Sequence, residues 1–119
     1  MLKFKNARGL KLFQLGRYRI ELWYFPSSFR IEKHSHPKEN IEVFYLFGSV
    51  KFFRMESSGN NEVYWDSNFI PRFLSLHAGY IHWFYVGKYP LIAINFSKFI
   101  TCKPVSASED IIFIKENYG

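Results

Sequence analysis

A chain of 119 residues, 48% of them hydrophobic, is long enough to bury one core. Its single cysteine, Cys102, excludes an internal disulfide framework and a cysteine-based zinc knuckle. The formal charge of +6 lies wholly in residues 1–20, where Lys3, Lys5, Arg8, Lys11, Arg17 and Arg19 stand without an acid, while the remaining basic and acidic residues cancel.

No nucleic-acid-binding motif accompanies that basic segment, so it reads as a solvated face rather than a nucleic-acid surface. The opening stretch MLKFKNARGLKLF lacks the apolar run of a secretory signal, and no run approaches the ~18 apolar residues of a membrane span. The expectation is one domain over residues 1–119, soluble and cytoplasmic, with no membrane partner.

Aromatic residues make up 21% of the chain, which favours strands, because flat bulky rings pack well on a pleated surface. In chain order, strands are expected near residues 10–14 (LKLFQ), 18–25 (YRIELWYF), 28–36 (SFRIEKHSH), 41–47 (IEVFYLF) and 49–55 (SVKFFRM). Others follow near 62–65 (EVYW), 72–77 (RFLSLH), 81–86 (IHWFYV), 90–96 (PLIAINF) and 111–115 (IIFIK). Between them FPSS, HPKEN, FGS, ESSGNN, DSN and GKYP supply turn residues. The polar segment 101–110 crosses the surface, with one helical turn starting near Ser108. Short strands at roughly 8–12-residue spacing leave little room for helix. The expected class is all-β, a small antiparallel jelly-roll barrel.

All four histidines, His34, His36, His77 and His82, fall in two short regions. His34 and His36 are two apart, so on a strand they share a face and both imidazoles can reach one ion. An imidazole triad with a carboxylate suits Fe, Mn, Ni, Co or Zn and leaves positions for water or substrate.

Two stretches carry a family resemblance. SFRIEKHSHPKENIEVFYLFG (28–48) approximates G-x5-H-x-H-x3,4-E-x6-G, and PRFLSLHAGYIHWFYV (71–86) approximates G-x5-P-x-G-x2-H-x3-N. These are the two motifs of the cupins, and the chain resembles that family. His34, His36, Gly48, Gly79 and His82 fall on motif positions, whereas Ser28, Pro71, His77 and Val86 depart from them. YLFG followed by SVKFFR also resembles the family's strand–Gly–strand hairpin. The resemblance implies a jelly roll with a divalent transition metal inside, held by His34, His36, a glutamate and His82.

The glutamate is out of register. Counting back from Gly48, the motif position is Ile41, and Glu42 comes one residue late. One residue reverses the facing of a regular strand, so Glu42 is a ligand only if a bulge near Asn40-Ile41 re-aims it. Glu39 reaching in from the turn, or three histidines alone, are the alternatives. Tyr45 shares the parity of Ile41, Val43 and Phe47, and is expected to line the cavity and donate to substrate. His77 stands where the family has a turn proline, and is a structural residue or a general acid/base at the barrel mouth. Trp83 points away from His82. Arg54 is a candidate for an anionic substrate. With odd residues of 41–47 inside, Phe44 and Leu46 need cover, which points to a homodimer.

The function expected is metal-dependent chemistry, isomerase or dioxygenase in type, on a small polar molecule. A non-catalytic module binding a sugar or carboxylate is the alternative, as is a metal-free structural barrel.

Overall fold

The computed structural model describes residues 1–55, 62–68, 72–77 and 80–114, with the side chains of 62–68, Arg72 and His77 outside that description. Pro71 and Gly79, two motif positions noted above, also lie outside the described residues. The described residues form nine strands and no helix: β1 (Leu2–Phe4), β2 (Ala7–Leu15), β3 (Tyr18–Phe25), β4 (Arg30–Ser35), β5 (Glu39–Met55), β6 (Glu62–Asn68), β7 (Arg72–His77), β8 (Ile81–Phe99) and β9 (Ile112–Phe113). Every pairing is antiparallel.

Two long strands organise the sheet. β5 runs 17 residues and β8 runs 19, pairing with one another from Glu39↔Phe99 to Met55↔Ile81. The first half of β5 also pairs with β7 and its second half with β6. Likewise the first half of β8 pairs with β4 and its second half with β3. The sheet therefore folds over on itself as two layers, β1-β2-β3-β8-β5-β7 and β9-β4-β8-β5-β6, a curled antiparallel jelly roll.

The fold-over point corrects the expected hairpin at Gly48. The chain does not reverse there. Gly48 has φ +137°, and a Cβ on it would stand 2.3 Å from the Pro90 carbonyl oxygen. Only glycine lets the two strands approach so closely at a bend. Opposite it, Gly87 to Pro90 bulges against Ser49, between the pairs Gly48↔Leu91 and Val50↔Val86. FGS and GKYP, expected as turns, are the two sides of one bend.

Alternation fills the space between the layers. The inner residues of β5 are Glu42, Phe44, Leu46, Val50 and Phe52, and those of β8 are His82, Phe84, Val86, Leu91, Ala93, Asn95 and Ser97. Rings from opposite layers meet, with Phe44–Phe52 centroids at 5.6 Å and Phe25–Phe84 at 5.0 Å. A burial on the order of 1.5–3 kcal/mol for each such side chain makes this the main stabilising contact. The parity expected for β5 was the reverse. Odd residues Ile41, Val43, Tyr45 and Phe47 lie on the outer face, so Phe44 and Leu46 need no second subunit to cover them.

Segment 101–111 crosses back over one end of the barrel. In place of the helical turn expected near Ser108 it makes a hydrogen-bonded turn over residues 106–110, with Asp110 N donating to the Ser106 carbonyl at 3.0 Å.

Candidate metal centre

Two irregularities in the strands assemble the site. In the β4–β8 pairing, Ile31 faces Phe84 but His34 faces His82, so β4 carries one extra residue. Ile31 and His34 are therefore both buried, although they have opposite parity. In the β5–β8 pairing, Glu39 faces Phe99 and Ile41 faces Lys98, again one extra residue, at Asn40. That is the bulge on which the Glu42 assignment depended. It turns both Glu39 and Glu42 inward, with exposures of 4% and 1%.

The imidazoles converge. Ring centroids are 4.1 Å apart for His34–His82, 4.9 Å for His36–His82 and 5.0 Å for His34–His36. His34, His36 and His82 each offer a nitrogen, and these lie within 4.8 Å of one another. Two atoms each about 2.1 Å from one ion are at most about 4.3 Å apart, so small side-chain movements close the set. His36, Glu39 and Glu42 form an overlapping set within the same limit, and Glu42 Oε1 is 4.0 Å from His82 Nε2.

The hydrogen bonds fix two tautomers. His34 Nδ1–H donates to the Glu32 carbonyl at 2.7 Å, and His36 Nδ1–H donates to the Asp110 carbonyl. A carbonyl only accepts, so each Nε2 keeps its lone pair, the arrangement expected of an oriented metal ligand. Asn95 Nδ2 donates to Glu42 Oε2 at 3.2 Å, and Ser97 Oγ donates to Glu39 Oε1 at 3.0 Å. Glu42 Oε1 and His82 Nδ1 are buried without a hydrogen-bond partner. An orphaned buried carboxylate oxygen costs about 1–3 kcal/mol or more unless something else satisfies it.

Protonation follows from burial. Burial pushes the His34 pKa down to about 3, with the charge of His36 adding to it. Burial, then His34 and His36, holds His82 well below the usual histidine range. Burial raises Glu42, and burial with the neighbouring Glu42 raises Glu39 well above the usual carboxylate range. Neutral imidazoles are what a metal needs. The carboxyls are stable here only when protonated or facing a cation. The donor set thus fits a metal ion.

No protein-family model matches the sequence, and no curated protein does either. Solved structures do match. The capsular polysaccharide assembling protein CapF of Staphylococcus aureus superposes with a TM-score of 0.73 at 11% identity, over 98% of this chain and 34% of its own. An oxalate oxidase in complex with glycolate gives 0.66 at 15% identity, over 90% of this chain and 54% of its own. A cupin superfamily protein of Desulfitobacterium hafniense gives 0.58 at 12% identity, over 83% of each chain. The chain has the cupin fold. It spans about a third of CapF and about half of the oxalate oxidase.

Within this cupin fold, His34, His36 and His82 come together, and Glu39 and Glu42 form a second set that shares His36. Tyr45 joins neither set. The extra residue at Asn40 that turns Glu42 inward also turns Tyr45 out, where its ring lies 4.8 Å from Phe73. His77 pairs through its backbone with Ile41, and its side chain lies outside the described residues. Trp83 points away from His82 and stacks on Phe53 at 5.1 Å. Arg54 pairs in register with His82, donates to the Ser75 carbonyl at 2.6 Å and lies 5.4 Å over Tyr80.

Sequence reasoning missed Glu21, Asn95, Ser97 and Asp110. Glu21 is 1% exposed, held by Arg19 at 2.9 Å, and accepts from Trp23 Nε1, Ser106 Oγ and Ala107 N. The available signal was the alternation in LIAINFSKF, where small and polar Ala93, Asn95 and Ser97 interleave with Ile92, Ile94 and Phe96. The polar set is the inner one.

Proposed function

We propose that the chain is a metal-dependent enzyme of the isomerase or dioxygenase type acting on a small molecule, with His34, His36, His82 and Glu42 as ligands. The observation that carries this is the buried donor set: two histidines with Nδ1 committed to carbonyls, a third beside them, and a carboxylate oxygen without a partner. When bound, a divalent ion would supply Lewis acidity to a carbonyl or hydroxyl, or a site for oxygen. The chain's own residues do the rest. Glu32 and Asp110 orient the imidazoles through their carbonyls, and Asn95 aims Glu42. The test is elemental analysis of untagged protein alongside His34→Ala and His82→Ala, then oxygen consumption with Fe(II). A stoichiometric metal in the wild type and its loss in both variants is expected. Protein that carries none and gains none on reconstitution overturns the proposal. A non-catalytic small-ligand binding module is the second reading, favoured by the mostly apolar surroundings of the histidines, which leave few polar groups for chemistry beyond the donor set.

The protein is further read as a cytoplasmic homodimer in which residues 1–119 make one domain. No helix among the described residues is long and apolar enough to cross a membrane. The dimer rests on the outer face, not on Phe44 and Leu46. There, Phe13 and Tyr18 of β2 and β3 continue through Ile92 and Phe96 of β8 to Phe47 of β5 and Phe73 of β7. These six are 40–70% exposed. At roughly 200 Å² per side chain they leave on the order of 600 Å² of apolar surface, the upper end for a monomer and most of one partner's share of a stable interface. A second copy of the same face would cover it.

A further inference from the structure

Beside the histidines, on the side away from Glu39, lies a second cavity of about 50 Å³. Its walls are Phe4, Trp23, Phe25, Ile31, Phe84 and Ile111, and its polar end is His36, His82 and Asn95. Asn95 Nδ2 is engaged by Glu42, and its Oδ1 lies 3.3 Å from Ser97 Oγ, whose one proton is shared with Glu39. Ser108, on the wall, shares its hydroxyl with Ser106 at 2.8 Å. No lysine or arginine lines the chamber among the described residues.

Each of these facts excludes a ligand class. A sugar or other polyol would bury most of its hydroxyls against apolar walls with no polar group to pair them, at about 1–3 kcal/mol each. A second carboxylate would enter an apolar wall with no counter-charge, which costs several kcal/mol. At roughly 10–15 Å³ per water-sized group the chamber takes about four non-hydrogen atoms, fewer than an aromatic ring. A divalent ion held by three neutral imidazoles and one carboxylate keeps one positive charge, which a single anionic oxygen balances.

We propose that this chamber accepts the branched or short alkyl body of a small monocarboxylate, whose head sits at the histidines, and rejects polyols, dianions and aromatic acids. The inference rests on the metal reading above and adds the substrate class to it.

Isothermal titration of the zinc-loaded protein with isobutyrate, succinate, benzoate and glycerol tests it. Isobutyrate is expected to bind at least tenfold more tightly than succinate or benzoate, with no heat from glycerol. Ala107 lines the chamber from segment 101–111 rather than from a strand. Ala107→Leu should fill the space and weaken isobutyrate at least tenfold while zinc affinity stays unchanged. No zinc uptake by the wild type overturns the metal reading and this inference with it. Zinc uptake with succinate, benzoate or glycerol binding as tightly as isobutyrate overturns this inference alone, as does an Ala107→Leu protein that folds and binds isobutyrate unchanged. The wild-type ranking decides the matter if Ala107→Leu does not fold.

Discussion

Glu42→Gln separates a carboxylate kept for a cation from one kept for the fold. Glu42 is 1% exposed, its pKa is raised from 4.5 by burial, and its Oε1 lacks a partner. In the metal-free chain a carboxyl held neutral forfeits about 1.4 kcal/mol for each pH unit above its unfolded pKa, so at pH 7 the ceiling is about 3 kcal/mol. Glutamine removes that cost. Its Oε1 can still accept from Asn95 Nδ2, now 3.2 Å from Glu42 Oε2, and its amide nitrogen replaces the orphaned acceptor. The metal-free variant should therefore be more stable at pH 7 by about 1–3 kcal/mol, or roughly 4–12 °C in Tm for a domain of this size. The gain should shrink to roughly a few tenths of a kcal/mol at pH 4.5, where the folded carboxyl is protonated and the unfolded one about half protonated, and vanish below that. Zinc affinity should fall at least about 100-fold, because a ligand and not merely its support is lost. Circular-dichroism melts in chelator and in zinc, at both pH values, measure all three. A variant less stable than wild type without metal, or one with the full zinc-dependent rise in Tm, would refute the reasoning and make Glu42 a structural acid.

Other predictions follow from the same geometry. His34 has a folded pKa of about 3 against 6.5 unfolded, so protons bind the unfolded chain first and stability falls as pH drops through that interval. From pH 6.5 to 5 this costs about 2 kcal/mol for His34 alone, and His82 acts with the same sign. Glu39 and Glu42 act oppositely, losing stability as pH rises above 4.5. Urea midpoints of the metal-free chain should therefore be broadly maximal between pH 4.5 and 6.5, and a monotonic rise to pH 8 would contradict this. Gly48→Ala should cost at least about 3 kcal/mol, because its Cβ meets the Pro90 carbonyl and its φ is +137°; a smaller change in urea midpoint would show that the bend can open. Phe96→Asp, in the middle of the outer face, should convert a dimer to a monomer in light scattering at micromolar concentration without disturbing metal content, and a wild-type monomer would remove the dimer.

The histidines were legible because two residues apart on a strand means one face, and because His82 sits in its own motif. The barrel was legible in the spacing of its turns. What the sequence could not show is a count of unpaired residues. One extra residue at Asn40 decides whether Glu42 or Tyr45 faces the site, and its one trace in the sequence is the one-residue offset of Glu42 from its motif position. The same blindness split β5 and β8 in two. Glycine and proline usually close turns, yet Gly48 and Gly87 to Pro90 bend two continuous strands together. Residues 90–99 mislead for a different reason. Large apolar side chains normally face inward, but Ile92 and Phe96 face out, because the inner space at that end is given to Glu21, Glu39 and Glu42.

The bulges at Asn40 and between Ile31 and His34 leave the two surfaces of the sheet interleaved along single strands. Glu42 stands between Ile41 and Val43, and Asn95 between Ile94 and Phe96. Every residue that builds the interior acid cluster thus has a covalent neighbour on the outer face. Insertion or deletion of one residue within a strand, unless a bulge took it up as at Asn40, would exchange the two faces beyond it, placing carboxylates outside and isoleucines among the histidines. The count of residues along β4 and β5 therefore matters to this site as much as their identities.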